Sequence, residues 1–307
     1  MENPFYNPRE HRLRAGWRLV IQFLLMLALL FGMQYLLTYL IDSSTFLINR
    51  LPAVIAFTGS CWVAARYLDN RPFLSFGLSV DRRWFREFGA GMLIGGAVMA
   101  VIFLLQLALG WIALEPVNWA GTAGDNGGFG GILVSILGFF AGMVLVGFYE
   151  ELVFRGYQIT NLIEGFRSPE GGEARPVIMA VGISSVFFGI LHAGNPNADL
   201  VSTLNIMLAG GVLAAPYIVT GSLALPVGLH ASWNFFQGGI FGFPVSGKTP
   251  PASLLQINET GPDLFTGGAF GPEAGLTGIL GLLLILLMVY LYIKRAGYPA
   301  ELHHNFK

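Results

Sequence analysis

The sequence predicts an all-α fold, a polytopic bundle of about eight membrane-spanning helices, on three observations. Of its 307 residues 54% are hydrophobic and only 11% charged, against roughly 45–50% and about 25% in soluble domains. The apolar content is gathered into about eight runs, each close to the ~20 residues a helix needs to cross a hydrocarbon core. Lys and Arg then alternate between the intervening segments as a topology signal does.

The runs are 17–40, 51–67, 88–113, 130–163, 176–193, 202–220, 222–240 and 275–293. The first follows a basic leader with Arg9, Arg12, Arg14 and Arg18. It exceeds the ~7–15 apolar residues of a secretory signal, and no small-x-small cleavage site precedes Asp42, so a retained span is expected. Before the third run, Ser79 to Phe88 mixes Arg82, Arg83, Arg86 and Glu87 with Trp84 and Phe85, the pattern of a short interfacial helix. Gly91/Gly95 and Gly138/Gly142 are small-xxx-small pairs that let helices approach closely. The Gly- and Pro-rich stretch 238–275 is expected outside the bilayer. No repeat or compositional break divides the chain, so 1–307 reads as a single membrane domain.

Alternate segments divide the cations unequally. One side takes Arg9, Arg12, Arg14, Arg18, Arg66, Arg71, Arg82, Arg83, Arg86, Arg155, Arg167, Arg175, Lys294, Arg295 and Lys307; the other takes only Arg50 and Lys248. By the positive-inside rule both termini are expected in the cytoplasm, in a bacterial plasma membrane. With a net charge of -1 and the arginines assigned to membrane flanks, no basic stripe remains for a nucleic acid. The lone Cys61 can form no intramolecular disulfide and no cysteine metal site.

Polar groups inside these runs carry the functional signal. Of the 18 Asp and Glu residues, Glu150 and Glu151 alone fall well inside a run, where an ionised group costs on the order of 3 kcal/mol without a partner or a wet cavity. Arg155, four residues after Glu151, stands on the same helical face as an ion-pair partner; Glu150 has no such neighbour. His192 and His230 are the only histidines within runs, and Phe188 with His192, and His230 with Asn234, are i,i+4 pairs that share a face. Convergence of Glu150, His192, His230 and Asn234 on one polar cavity is the expected arrangement. Among hydrolytic chemistries, a His-Glu-x-x-His zinc motif, a Gly-x-Ser-x-Gly elbow and an intramembrane aspartate pair are missing, which leaves a glutamate-based site. Glu150, His192 and His230 would also suit zinc with a water in its open position.

Three segments, Glu150-Glu151-Leu-Val-Phe-Arg155, Phe188-Gly-Ile-Leu-His192 and His230-Ala-Ser-Trp-Asn234, resemble in order the EExxxR, FxxxH and HxxxN motifs of the CAAX protease and bacteriocin-processing (CPBP, or Abi) family. The resemblance covers a catalytic core of about 147–240 and implies an intramembrane glutamic endopeptidase like the type II CAAX prenyl endopeptidases. Glu150 and His192 would activate a water, His230 and Asn234 would stabilise the oxyanion, Glu151 would balance the site, and Arg155 and Phe188 would support it. No cofactor is implied, with zinc on Glu150, His192 and His230 as the alternative. The implied partners are the lipid bilayer and a peptide or protein substrate that is lipid-modified or membrane-bound, reached through a cytoplasm-facing cavity. A non-enzymatic immunity or partner-binding membrane protein is the competing reading.

Overall fold

The computed structural model describes residues 3–8, 10–40, 46–116, 129–168, 172–299 and 301–306. Its helices, in chain order, are α1 (Ala15–Leu40), α2 (Leu51–Tyr67), α3 (Arg82–Ala108), α4 (Phe129–Glu151), α5 (Thr160–Phe166), α6 (Ala174–His192), α7 (Leu200–Thr220), α8 (Ala224–Asn234), α9 (Asp263–Thr266) and α10 (Leu276–Arg295). A π-helical stretch, Leu152–Ile159, joins α4 to α5 in one continuous rod, and a second, Phe235–Ile240, extends α8. Two antiparallel ribbons complete the described structure. One pairs β1 (Tyr6–Asn7) with β2 (Arg12–Leu13), the other β3 (Ile112–Glu115) with β4 (Gln256–Glu259).

Every apolar run of the sequence is helical over most of its length, but six segments are long and apolar enough to cross a bilayer: 15–40, 82–108, 130–166, 174–192, 200–220 and 276–295. The protein is an all-α integral membrane bundle. Two expected spans differ from the other six for separate reasons. Helix α2 has only 17 residues. Helix α8 is buried at every position from Ala224 to Asn234; surrounded by other helices, it needs no lipid-facing stripe and can carry Gly228, Ser232 and the polar motif residues.

The third run also begins earlier than its hydropathy. The Asp81 side chain accepts from the Trp84 amide at 2.8 Å and caps α3, an interaction worth about 1 kcal/mol. Ser79 to Phe88 is therefore not a separate interfacial helix, because its residues form the first turns of α3. At the far end Gly110, with φ 69°, turns the chain into β3, so the predicted extension to residue 113 is strand.

Close packing of α8 fixes the site. A Cβ on Gly91 would lie 2.5 Å from the Leu225 carbonyl oxygen, and one on Gly95 2.8 Å from that of Leu229 and 2.2 Å from Ser232 Oγ. On the opposite flank, a Cβ on Gly147 would meet the Ala231 amide nitrogen at 3.1 Å. Glycines on α3 and α4 thus let α8 lie between them at backbone contact. Ser232 donates to the carbonyls of Gly91 and Leu229, which makes it a packing residue. The Gly138/Gly142 pair behaves differently: nothing lies within 4 Å of a Cβ at Gly138, and Gly142 accommodates the Phe46 ring. Gly95→Ala is expected to destabilise the protein by about 1–3 kcal/mol through overpacking and to reduce activity by displacing α8. Gly138→Ala should be neutral, and thermal unfolding of the two variants in detergent checks the contrast.

The arginine-rich segments meet at one end of the bundle. Arg18, on the first turn of α1, is buried and pairs with Asp69 after α2 and, at 3.0 Å, with Glu164 on α5. Glu164 also receives Arg12 at 3.1 Å and Arg71. Nearby, Arg83 bonds Glu87 at 2.8 Å, donates to the Thr220 carbonyl at the end of α7 and stacks over Tyr298. The opposite end carries the β3–β4 ribbon, the turn after α6 and the segment 241–275.

Candidate active site

Glu150 and Glu151 close α4, immediately before the π-helical stretch. Asn234 likewise closes α8 immediately before the second one. Both motif-bearing helices therefore change from i→i+4 to wider bonding at their polar residues, a local distortion frequent at functional sites. His192 is the last residue of α6. The three helices bring together all the side chains expected from the sequence.

Glu151 is fully buried. Its Oε1 accepts from Arg155 Nη1 at 3.0 Å and from His230 Nδ1 at 2.8 Å. Arg155, also buried, donates to the Gly210 carbonyl at 3.2 Å and places its guanidinium 4.4 Å from the centre of the Phe188 ring. It was grouped in the sequence with the arginines of the membrane flank, but in the structure it is an interior residue that anchors α4 to α7 and neutralises Glu151. Phe188 packs against His192 at 4.5 Å and edge-on to His230 at 6.3 Å between ring centres, so one aromatic ring orients both imidazoles.

Glu150 is turned away from this pair. Its Oε2 lies 3.9 Å from His192 Nε2 and 3.8 Å from His230 Nε2, beyond hydrogen-bond range, and makes no hydrogen bond among the described residues. The tautomers follow from the partners. His192 Nδ1 sits 2.7 Å from the Phe188 carbonyl oxygen, which can only accept, so Nδ1 carries hydrogen and a neutral His192 presents a lone pair at Nε2. The carboxylate of Glu151 imposes the same on His230 Nδ1. Two imidazole edges and a carboxylate oxygen thereby face one point, at separations that a single water could bridge.

Tetrahedral zinc with bonds of about 2.0–2.1 Å would bring its donor atoms to about 3.3–3.4 Å of one another. Glu150 Oε2 stands farther than that from both Nε2 atoms, and no cluster of His, Cys, Asp or Glu among the described residues has the arrangement of a metal site.

These groups line a cavity of about 440 Å³, together with Asn234 and Trp233 of α8 and Asn205 and Leu213 of α7. Further charged and polar residues outside the three motifs stand on its wall, among them Arg50 before α2, Asn195 after α6, and Ser246, Lys248 and Glu273 from 241–275. Glu273 is buried, and its Oε2 accepts from the Ser246 amide at 2.6 Å and from Ser246 Oγ at 3.0 Å. Burial pushes the Glu273 carboxyl up, against the pull of those bonds. Sequence reasoning missed Glu273 because it lies in a Gly- and Pro-rich segment assigned to the outside, where an acid is unremarkable. Gly267 and Gly271, with φ 91° and 103°, mark a constrained fold beside it.

The cavity sits toward the end of the bundle formed by Arg50, Asn195, Ser246 and Lys248, not the end where Arg18, Arg71 and Arg83 gather. The physical reason is that His192 ends its helix, so the site is drawn to the side on which α6 emerges.

Residues 132–236 match the family described as Rce1-like, type II CAAX prenyl endopeptidase. No curated protein and no solved structure matches the chain. The matched segment contains Glu150, Glu151, Arg155, Phe188, His192, His230 and Asn234, so the motif-bearing core of this integral membrane protein is similar to the CPBP/CAAX protease family.

Proposed function

We propose that the protein hydrolyses a peptide bond with a water held among Glu150, His192 and His230, without a covalent intermediate. The observation that carries this reading is the convergence of Glu150 Oε2 with the two imidazole Nε2 atoms at 3.9 and 3.8 Å. Glu150, aided by the His192 lone pair, takes a proton from the water as its oxygen attacks the scissile carbonyl carbon. Negative charge then develops on the carbonyl oxygen. His230, when protonated on both nitrogens, donates to that oxyanion from Nε2, and the Asn234 amide, on the same face of α8, donates beside it. Glu150 returns its proton to the leaving nitrogen, the C–N bond breaks, and the products are an amine and a carboxylic acid, which releases its remaining water-derived proton to solvent.

Glu151 and Arg155 do not touch the reacting atoms in this scheme. Glu151 holds His230 through Nδ1, and Arg155 supplies Glu151 with a buried counter-charge. The polar cavity supports an enzyme over a scaffold, since a binding role alone does not require two carboxylates inside a bilayer.

The test compares new C-termini by mass spectrometry in membranes incubated with the wild-type protein or His192→Ala. His192→Ala should cut the yield of protein-dependent termini by about 10²-fold or more, and the wild-type yield should survive a strong chelator. An unchanged set of termini from the folded variant would overturn the proteolytic role of His192; loss of activity to the chelator, restored by zinc, would replace the water-only chemistry with a metal-assisted one.

A further inference from the structure

We infer that Glu273 is a positioning residue for the hydrolysis proposed above: it clamps a strained turn that ties the end of α6, which carries His192, to the end of α8, which carries Asn234. The inference rests on that reading for its reaction, while the clamp itself stands on geometry. Glu273 is a buried carboxyl group on the cavity wall that the proposed chemistry does not use. Its Oε2 takes the amide and the hydroxyl of a single residue, Ser246, at 2.6 and 3.0 Å.

Ser246 is held in a backbone conformation that serine seldom adopts. Val245 and Lys248 exchange both backbone hydrogen bonds, at 2.9 and 3.0 Å, around a two-residue turn with φ 48° at Ser246 and 78° at Gly247. Both central residues of such a turn need positive φ, a requirement that Asn, Asp and Gly meet more readily than Ser. That conformation persists only where the surroundings over-determine it. Glu273 does so from one side. From the other, the Gly247 amide donates to the Phe270 carbonyl at 2.9 Å, and a Cβ on Gly247 would lie 1.7 Å from the Pro196 carbonyl oxygen.

The turn's neighbours continue the two motif helices. Pro196 lies four residues beyond His192, and Asn197 beside it donates from Nδ2 to the Gly247 carbonyl at 3.4 Å. Gln237, fully buried in the π-helical stretch three residues beyond Asn234, donates to the Pro244 carbonyl at 2.6 Å. Glu273 is the fixed post of this arrangement. Thr277, on the first turn of α10 just beyond it, receives Gln106 of α3 at 2.9 Å and donates to the Phe265 carbonyl at 2.8 Å. Releasing Ser246 therefore frees the chain that spaces His192 from Asn234, and a misplacement of about 1 Å at a reacting group can cost on the order of 10²-fold in rate.

Amide hydrogen exchange of the full chain in detergent, read beside the membrane comparison of new C-termini, tests the clamp. Glu273→Ala should speed exchange in segments 191–198 and 231–248, leave 51–67 unchanged, and lower the yield of protein-dependent termini by about 10²-fold well below its unfolding temperature. Glu273→Gln, whose amide oxygen can accept the same two bonds, should stay within about threefold of wild type in both readouts. Ser246→Ala loses only the hydroxyl bond and should fall between them; it carries the test if Glu273→Ala does not fold. Wild-type exchange in the folded variant overturns the clamp, and faster exchange with an undiminished yield of termini overturns its role in positioning. Cleavage lost in Glu273→Gln as fully as in Glu273→Ala, with exchange unchanged, would overturn it too, making Glu273 an acid that acts on substrate directly. Exchange that responds as expected in a protein producing no new termini would keep the clamp and remove the proteolytic reading instead.

Discussion

Glu150→Gln is expected to lower the cleavage rate by about 10⁴-fold, the upper end of what one acid–base group supplies, because the same carboxylate takes the proton from water and returns it to the leaving amine. Gln keeps the size and polarity of the side chain but cannot accept a proton at neutral pH. Glu150 makes no hydrogen bond among the described residues through Oε2, so the exchange breaks nothing that holds the bundle together. Stability should therefore stay within about 0.5 kcal/mol of wild type. Single-turnover cleavage of a peptide carrying a terminus identified in the membrane comparison, with thermal unfolding measured in parallel, reads both quantities. A folded variant that retains most of its rate would remove Glu150 from the role of base.

Arg155→Ala should produce the largest loss of stability, about 3–5 kcal/mol, since removing one member of a buried ion pair leaves the other uncompensated. The geometry makes the loss threefold. Glu151 Oε1 keeps only His230, the Gly210 carbonyl loses its donor, and the Phe188 ring loses the cation over its face. Activity should fall with stability because Phe188 orients both histidines. Arg155→Lys is the informative control: it preserves charge but cannot reach Glu151 and Gly210 together from a single ammonium, and an intermediate unfolding temperature is expected. If Arg155→Ala unfolds at the wild-type temperature, the pair is not a structural anchor.

Much of the site was legible because its residues are costly where they stand. Glu150, Glu151, His192 and His230 are conspicuous in apolar runs, and i,i+4 spacing foretold that Glu151 meets Arg155 and that Phe188 meets His192. The pairing of Glu151 with His230 spans 79 residues and depends on the angle at which α8 crosses α4, which local periodicity does not encode. The π-helical stretches after Glu151 and Asn234 were invisible for a related reason: a wider hydrogen-bonded turn leaves no mark in composition. Helix α8 read as one more span because burial by protein and burial by lipid select similar residues. Glu273 and Ser246 escaped notice because a loop's polarity says nothing about whether it folds back over a cavity.

The cluster around Glu164 has a bearing on how the protein is made. Arg18 finds Asp69 only 51 residues later and Glu164 only 146 residues later. During synthesis the first helix therefore waits at the membrane surface with its guanidinium hydrated, and it settles once α2 and then α5 have followed. A chain that has not reached Glu164 holds an arginine with only one of its two carboxylate partners. Completion of the cluster thus dates the moment at which α1, α2 and α5 become a single unit, after the glutamates of the site have been laid down but before His192 and His230 emerge to meet them.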